Sequence, residues 1–196
     1  MSKAFTLIEL LIVVAIIAIL AAIAVPNFLE AQTRAKISRV KNDLRVCATA
    51  LESYMVDNNK YPYEQIAAEF PHRLTTPVSY LSISLVDVFR ATSPEAQNLP
   101  YSSRTYWYFR LMTPQEESRP DILAFRGSDG DYESDEATLD RFGSWAMSSY
   151  GPDQIRDDAW QMVFSEPSQR FYDPTNGTIS GGDIVRTQTQ RATNTN

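Results

Sequence analysis

A run of apolar residues from Leu7 to Val25, interrupted only by Glu9, constrains this chain more than any other feature of its sequence. The run is about as long as a helix needs to cross the hydrocarbon core of a membrane. A carboxylate near the start of such a span costs free energy in lipid and marks a functional residue. The sequence therefore predicts a transmembrane helix over about residues 7–25, with Glu9 as its candidate functional group.

The apolar run differs from a secretory signal peptide. Such a signal has a longer basic region, a shorter apolar core and a cleavage site of small residues after that core. Here only four residues with one positive charge, Met1 to Ala4, precede Phe5, and no Ala-x-Ala pattern follows the run. The helical pattern instead continues, which favours a retained anchor.

A second helical signature follows the span. Apolar residues recur at steps of three and four, which is typical of one buried helix face; they are Ile37, Val40, Leu44, Cys47, Leu51 and Tyr54. The sequence predicts one helix over about residues 5–59, bent by Pro26 near residues 22–26 and ended by Asn58-Asn59. The stripe packs on the chain's own domain or, alternatively, forms a coiled coil with another chain.

Composition narrows the function. The single Cys47 excludes an intramolecular disulfide, and the single His72 excludes a zinc site built from several histidines. Basic residues concentrate in residues 34–45, whereas the chain after Asn58 is acid-rich, so nucleic-acid binding is not indicated. Neither a His-bearing catalytic triad nor a Gly-rich phosphate loop is present, so we expect no enzyme.

The remainder predicts a mixed domain over residues 60–187. Strand-like segments are Thr105–Met112, Ile122–Arg126, Ser144–Ser149 and Ile184–Thr187, the first two being read as a hairpin-like pair. One long helix followed by short strands indicates an α+β fold, with a small antiparallel sheet packed on the helix. The polar residues 188–196 predict a disordered tail.

The N-terminus, Lys3-Ala4-Phe5-Thr6-Leu7-Ile8-Glu9-Leu10, resembles the type IV pilin and pseudopilin family. The resemblance implies that residues 1–4 are a leader. A prepilin peptidase would cut between Ala4 and Phe5 and methylate the new terminus. Glu9 would occupy the family's acidic position and Pro26 its helix-bending proline, so Phe5, Glu9 and Pro26 are the expected assembly residues. The family nearly always has Gly where this chain has Ala4.

The same resemblance implies a structural subunit of a type II secretion pseudopilus or a type IV pilus. Its partners would be other copies of the chain, other pilin-like subunits, the peptidase and an inner-membrane assembly platform. The chain would cross the inner membrane once, with its C-terminal domain periplasmic or extracellular, although basic residues 34–45 by themselves favour the cytoplasm. The alternatives are a minor, tip or adhesive pilin, or an anchored binding protein or hydrolase.

The C-terminal region is similar to the calcium loop of the major pseudopilin of type II secretion. Ser149, Gly151 and Asp153 match its opening, and Asp183-Ile184 matches its close. The resemblance implies one calcium ion held by Ser149, Asp153 and Asp183. The interval from Asp153 to Asp183 is longer than in that family. The alternative is a turn in which Asp and Gly satisfy only backbone groups.

Overall fold

The computed structural model of the protein describes residues 5–62, 70–94, 96, 104–110, 140, 142–155, 171–173, 175 and 180–189. These residues contain one long helix, α1 (Leu7–Asn58), followed by three strands: β1 (Trp107–Arg110), β2 (Trp145–Ser149) and β3 (Ile184–Thr187). Two 3₁₀ turns, His72–Leu74 and Arg90–Thr92, lie between α1 and β1. The predicted α+β fold, a long helix with a small antiparallel sheet, is confirmed.

Both ends of α1 are capped by local hydrogen bonds. Thr6 is the N-cap, and its hydroxyl oxygen accepts the Glu9 N–H at 3.4 Å. At the other end Asn59 adopts a left-handed conformation, with φ of 54°, and donates its N–H to the Met55 carbonyl at 2.8 Å. A left-handed residue that returns its N–H to the last turn is a common helix stop. The predicted end at Asn58-Asn59 is confirmed.

Pro26 lies inside α1, and the helix continues on both sides of it. Because proline has no backbone N–H, the carbonyl of Ala22 loses its helical donor. The predicted bend near residues 22–26 stays a prediction. A single 52-residue helix nevertheless joins the apolar span to the rest of the chain.

The predicted stripe on α1 is buried and forms one side of the core. All six of its residues are buried, and Val40, Cys47 and Leu51 are completely inaccessible. The stripe belongs to one core with aromatic residues of the sheet, among them Tyr108 and Trp145. The chain itself therefore covers the stripe, and the coiled-coil alternative is wrong for these residues.

The sheet has the order β1-β2-β3, with both pairs antiparallel. Trp107 pairs with Ser148 across the first pair, and Ser149 pairs with Ile184 across the second. The predicted strands at Ser144–Ser149 and Ile184–Thr187 are confirmed, and β1 lies within the predicted Thr105–Met112. The predicted strand Ile122–Arg126 lies outside the described residues.

The sheet's hydrogen bonding extends two residues into the predicted tail. Gln188 donates its backbone N–H to the Trp145 carbonyl at 3.2 Å, and its side-chain oxygen accepts the Ser144 N–H at 2.7 Å. Thr189 donates to the Phe142 carbonyl at 3.3 Å. Gln188 and Thr189 therefore do not belong to a disordered tail as predicted, because their backbone N–H groups continue the hydrogen bonding beyond β3. Residues 190–196 lie outside the described residues.

One carboxylate connects α1 to the rest of the domain. Glu52, on the rim of the buried stripe, accepts the Trp145 indole N–H at 2.9 Å through Oε1 and the Tyr61 hydroxyl at 2.9 Å through Oε2. Gln188 adds a hydrogen bond to the Tyr61 hydroxyl at 2.6 Å. Helix, post-helix segment and sheet therefore meet at Glu52.

Candidate functional site

The N-terminal part of α1 is exposed on every face. Every side chain from Phe5 to Leu29 is exposed, and we call residues 5–29 the exposed segment. It includes an 18-residue window that is long and apolar enough to cross a membrane and that has none of its residues buried. A helix that is apolar all round is covered by lipid or by other helices rather than by water. No described residue outside the segment covers it, which leaves lipid or other helices as its cover.

Glu9 is the charged residue of the exposed segment. Its Oε2 accepts the Thr6 backbone N–H at 2.8 Å and the Thr6 hydroxyl at 2.6 Å. With the return bond from the Glu9 N–H, this arrangement is a capping box. Thr6 is absent from the predicted site, although its signal, Thr-x-x-Glu, is present in the sequence. Thr6 therefore supplies neutral donors to the Glu9 carboxylate, and among the described residues no cation forms an ion pair with it.

The other predicted assembly residues lie along the same segment. Phe5 precedes the helix and is 71% exposed. Pro26 lies near the far end, about 26 Å from Glu9 at 1.5 Å of rise per residue. Ala4 lies outside the described residues, so cleavage after it stays a prediction. The arrangement is an extended surface along one helix, suited to contact with other long helices.

The three predicted calcium ligands lie where β2 ends and β3 begins. Ser149 is the last residue of β2, and Asp183 directly precedes β3. Asp153 accepts the Gly182 backbone N–H on Oδ2 at 2.9 Å. The structure therefore brings Asp153 to the residue beside Asp183, as the predicted loop closure requires.

Gly151 explains how closely the two segments approach each other. Its φ is +71°, in the left-handed region that glycine adopts without strain. A Cβ at this position would lie 2.2 Å from the Gly182 carbonyl oxygen. Only a residue without a side chain permits this contact, so the predicted Ser-x-Gly-x-Asp pattern has a steric basis here.

The Ser149 hydroxyl binds a carboxylate that the sequence did not predict. Ser149 donates to Asp87 Oδ1 at 2.8 Å, and the Tyr150 N–H donates to Asp87 Oδ2 at 3.1 Å. Asp87 is fully buried, and this burial raises its pKa, opposed by its hydrogen bonds to Phe89, Ser149 and Tyr150. The available signal was a lone carboxylate in the apolar run Leu85–Phe89.

The described residues contain no group of three or more His, Cys, Asp or Glu side chains that could hold a metal ion. Ser149 is bonded to Asp87, and Asp153 accepts backbone N–H groups from Ile155 at 3.2 Å and from Gly182. These contacts fit a loop closed by hydrogen bonds. Residues 156–170 lie outside the described residues, and calcium binding stays a prediction.

Fold and exposed segment together define a class of protein. A small α+β domain covers one half of a long helix, and the other half presents apolar side chains in every direction. Such a helix end requires a membrane, other copies of the helix, or each in turn. The class is that of membrane-anchored assembly subunits.

Comparison with known proteins identifies the family. Residues 1–25 match the family model of the prokaryotic N-terminal methylation motif. The chain is 38% identical over 107 residues to the type IV wide pilus major component PilA4 of Thermus thermophilus, covering 55% of this chain and 79% of that protein. It is 26% identical over 147 residues to type II secretion system core protein G of Klebsiella pneumoniae, covering 74% and 95%. No solved structure matches.

The chain belongs to the type IV pilin and type II secretion pseudopilin family. It is a pilus-like structural subunit and not an enzyme, and the resemblance seen at Lys3 to Leu10 is confirmed. Some relatives match over a shorter stretch: the type IV major pilin protein PilA of Myxococcus xanthus is 52% identical over 60 residues, which span 31% of this chain and 27% of that protein. The properties of that whole protein therefore do not transfer.

Proposed function

We propose that this subunit is inserted once into the inner membrane, cut between Ala4 and Phe5, methylated on Phe5 and polymerised through its exposed segment into a pseudopilus or type IV pilus. The globular domain then lies outside the cytoplasm. A prepilin peptidase, an inner-membrane assembly platform and other pilin-like subunits are its partners. One observation carries the proposal: residues 5–29 are exposed, whereas the stripe on the same helix is buried.

The exposed segment suits two environments in succession. Before assembly, lipid covers its apolar side chains. In a filament, the same segments of neighbouring copies replace the lipid. Because lipid is as apolar as these side chains, helix association in this environment depends on packing and polar contacts. The apolar residues therefore supply contact, and a polar residue must set the axial register.

Glu9 is suited to set that register. Cleavage before Phe5 creates an amino group that stays cationic after methylation, and the Glu9 carboxylate of a neighbouring copy is its partner. The capping box already directs Glu9 toward the start of the helix, since Oε2 lies 2.8 Å from the Thr6 backbone nitrogen. A buried polar pair is best attested as a device that fixes register. The exposed segment thus combines a non-selective apolar surface with one selective contact.

A substitution at Glu9 tests this proposal. In the full chain, expressed with its assembly machinery and without other pilin-like subunits, Glu9→Ala should leave cleavage and membrane insertion intact and abolish filaments in the sheared fraction. The matched control is Glu30→Ala, which removes the next carboxylate along α1 and should preserve filaments. Normal filaments from Glu9→Ala contradict the register mechanism. A failure of cleavage instead assigns Glu9 to peptidase recognition.

The processing step has its own measurement. The mass of the N-terminal peptide from purified membranes should correspond to a chain that starts at methylated Phe5. Ala4→Gly should be processed at least as fast, because glycine removes a methyl group at the cleaved bond. An intact Met1 on most wild-type molecules would show that Ala4 blocks the reaction.

Calcium binding by Ser149, Asp153 and Asp183 is a separate proposal for the domain. It is supported by the contact between Asp153 and Gly182, which closes the loop that the ion would occupy. An ion that binds only the folded chain, present at a hundredfold excess over its dissociation constant, stabilises by about 2.7 kcal/mol. The melting temperature of the full chain in detergent should therefore rise when calcium is added. The melting temperature of Asp153→Ala should not change with calcium. An unchanged melting temperature at millimolar calcium contradicts the site.

A further inference from the structure

A basic surface lies beside the buried stripe, where α1 meets the sheet. Arg34, Lys41 and Arg45 are spaced by seven and four residues, which places them on one face of the helix. Arg186 projects from β3 close enough for the charge of Arg45 to lower its pKa, in addition to the larger effect of burial. The ammonium nitrogen of Lys41 lies 5.5 Å from the ring centroid of Tyr172. We call Arg34, Lys41, Arg45 and Arg186 the basic patch.

The described residues neutralise little of this patch. Arg34 pairs with Glu30, but both side chains are largely exposed, and such pairs contribute little. Among the described residues no carboxylate forms an ion pair with Lys41, Arg45 or Arg186. The described acidic group next to Tyr172 in sequence, Asp173, instead accepts two hydrogen bonds from Thr175. Lys41 thus lies over the Tyr172 ring and Arg45 lies near Arg186, and Glu30 is the described carboxylate that pairs with a residue of the patch.

A membrane surface does not fit the position of the patch. Taking Leu29 as the end of the exposed segment, Lys41 lies about 18 Å and Arg45 about 24 Å further along α1. The head-group layer on each side of a bilayer is only about 5–8 Å thick. Surface charges are screened over about 8 Å at physiological ionic strength. Most of the patch therefore lies beyond the reach of anionic lipid.

A second copy of this chain has the complementary charge. The protein has 18 Lys and Arg against 24 Asp and Glu. Residues 34–45 hold five of the basic residues and one acidic residue, Asp43, so the rest of the chain has 13 basic residues against 23 acidic ones. The rest of any neighbouring copy is therefore strongly acidic. Opposite charges at an interface give orientation and specificity.

We propose that the basic patch is a docking surface for acidic residues on the globular domain of a second copy, displaced along the filament axis. The inference rests on the proposed function, because axial displacement of parallel helices brings one copy's domain beside another copy's α1 above the membrane. The patch lies on the same helix as the exposed segment and begins five residues beyond its end. Contacts at the exposed segment hold copies together, and the basic patch selects how the domains meet.

Matched charge reversals on one helix test the patch. Lys41→Glu lies in the patch, and Lys36→Glu is an equal charge change on an exposed α1 residue about 140° away around the helix. In the full chain with its assembly machinery, Lys41→Glu should reduce sheared filaments by about tenfold, since like charges at an interface are costly. Lys36→Glu should leave the filament yield near that of the wild type. Lys41→Arg, which keeps the positive charge, should also retain the wild-type yield. Unchanged tryptophan-detected melting of each variant establishes that the domain is folded.

The outcomes separate this inference from the proposed function. Wild-type filaments together with normal filaments from Lys41→Glu overturn the patch and leave the proposed function standing. Equal losses from Lys41→Glu and Lys36→Glu also overturn it, because general charge then decides assembly. Absence of filaments from the wild type contradicts the proposed function itself. Weaker binding of Lys41→Glu than of Lys36→Glu to phosphatidylglycerol vesicles, with equal filament yields, assigns the patch to lipid instead.

Discussion

The two halves of α1 share one backbone conformation and have opposite surroundings. Residues 5–29 are exposed on every face, whereas the stripe from Ile37 to Tyr54 is buried within the domain. The arrangement of apolar residues accounts for the difference: it is continuous around the first half and confined to one face of the second. Helix formation therefore does not determine what covers each half of α1. The distribution of apolar residues around the axis does.

The polar contacts of the two halves differ in the same way. Glu9 accepts hydrogen bonds from Thr6, a neighbour in its own first turn. Glu52 accepts hydrogen bonds from Trp145 and Tyr61, which belong to the domain that covers its half. Glu52 thus has its long-range partners within the chain. Glu9 retains the capacity to bind a partner on another copy.

Truncation of one leucine in each half gives the largest expected contrast. Leu51 is inaccessible, whereas Leu20 is 62% exposed. Leu51→Ala should lower the free energy of unfolding of the domain by about 2–5 kcal/mol, because it leaves a cavity. Leu20→Ala should change it by less than about 0.5 kcal/mol. Urea titration of the full chain in detergent, followed by tryptophan fluorescence, measures both. Equal effects would show that the halves are not energetically distinct.

Removal of the carboxylate at the helix–sheet contact should have a smaller effect. Glu52→Ala leaves the Trp145 indole N–H without its acceptor and takes one from the Tyr61 hydroxyl. Loss of a partner from buried polar groups costs about 1–3 kcal/mol. Glu30→Ala, which removes only an exposed pair with Arg34, should cost at most about 1 kcal/mol. The same urea titration distinguishes them, and a Glu52→Ala variant as stable as Glu30→Ala would contradict the role of Glu52.

Alkaline pH should affect only the covered half and its domain. Burial raises the pKa of Tyr106, assisted by the charges of Asp87 and Asp43, and burial and Glu52 raise the pKa of Tyr61. A tyrosine whose pKa is higher in the folded than in the unfolded protein stabilises the folded state fully below the unfolded pKa, which is near 10. This stabilisation is lost as the pH rises further. The free energy of unfolding should therefore fall above about pH 10.

Tyr106→Phe should reduce the slope of this fall, and so should Tyr61→Phe. The exposed segment contains no tyrosine, so its helicity in detergent should not change over the same pH range. A slope that neither substitution alters would assign the alkaline transition to other groups.

Sequence periodicity predicted most of the architecture. The steps of three and four from Ile37 to Tyr54 are local and strong, and the structure buries all six residues. Asn58-Asn59 predicted the helix end because an asparagine tolerates the left-handed conformation that stops a helix. The strands Ser144–Ser149 and Ile184–Thr187 followed from composition. These features depend on residues that are close in sequence, so they can be predicted without a structure.

Contacts between residues that lie far apart in the chain could not be predicted from the sequence. Asp87 binds Ser149, 62 residues away, and Glu52 binds Trp145, 93 residues away. No local pattern reveals which side chains a carboxylate will meet after the sheet has formed. Gln188 was assigned to a disordered tail for the same reason, since its partners Ser144 and Tyr61 lie far from it in the chain. Thr6 is different: its capping-box spacing with Glu9 was local and available.

In a filament, other copies should cover the exposed half of α1, while the stripe remains covered by its own domain. A cryo-electron microscopy reconstruction of sheared filaments measures this directly. We expect residues 5–29 of each copy to form the filament core, with Glu9 within hydrogen-bonding distance of a neighbouring Phe5 amine. The stripe from Ile37 to Tyr54 should stay packed on its own sheet. Filaments joined only through the globular domains, with residues 5–29 outside the core, would contradict it.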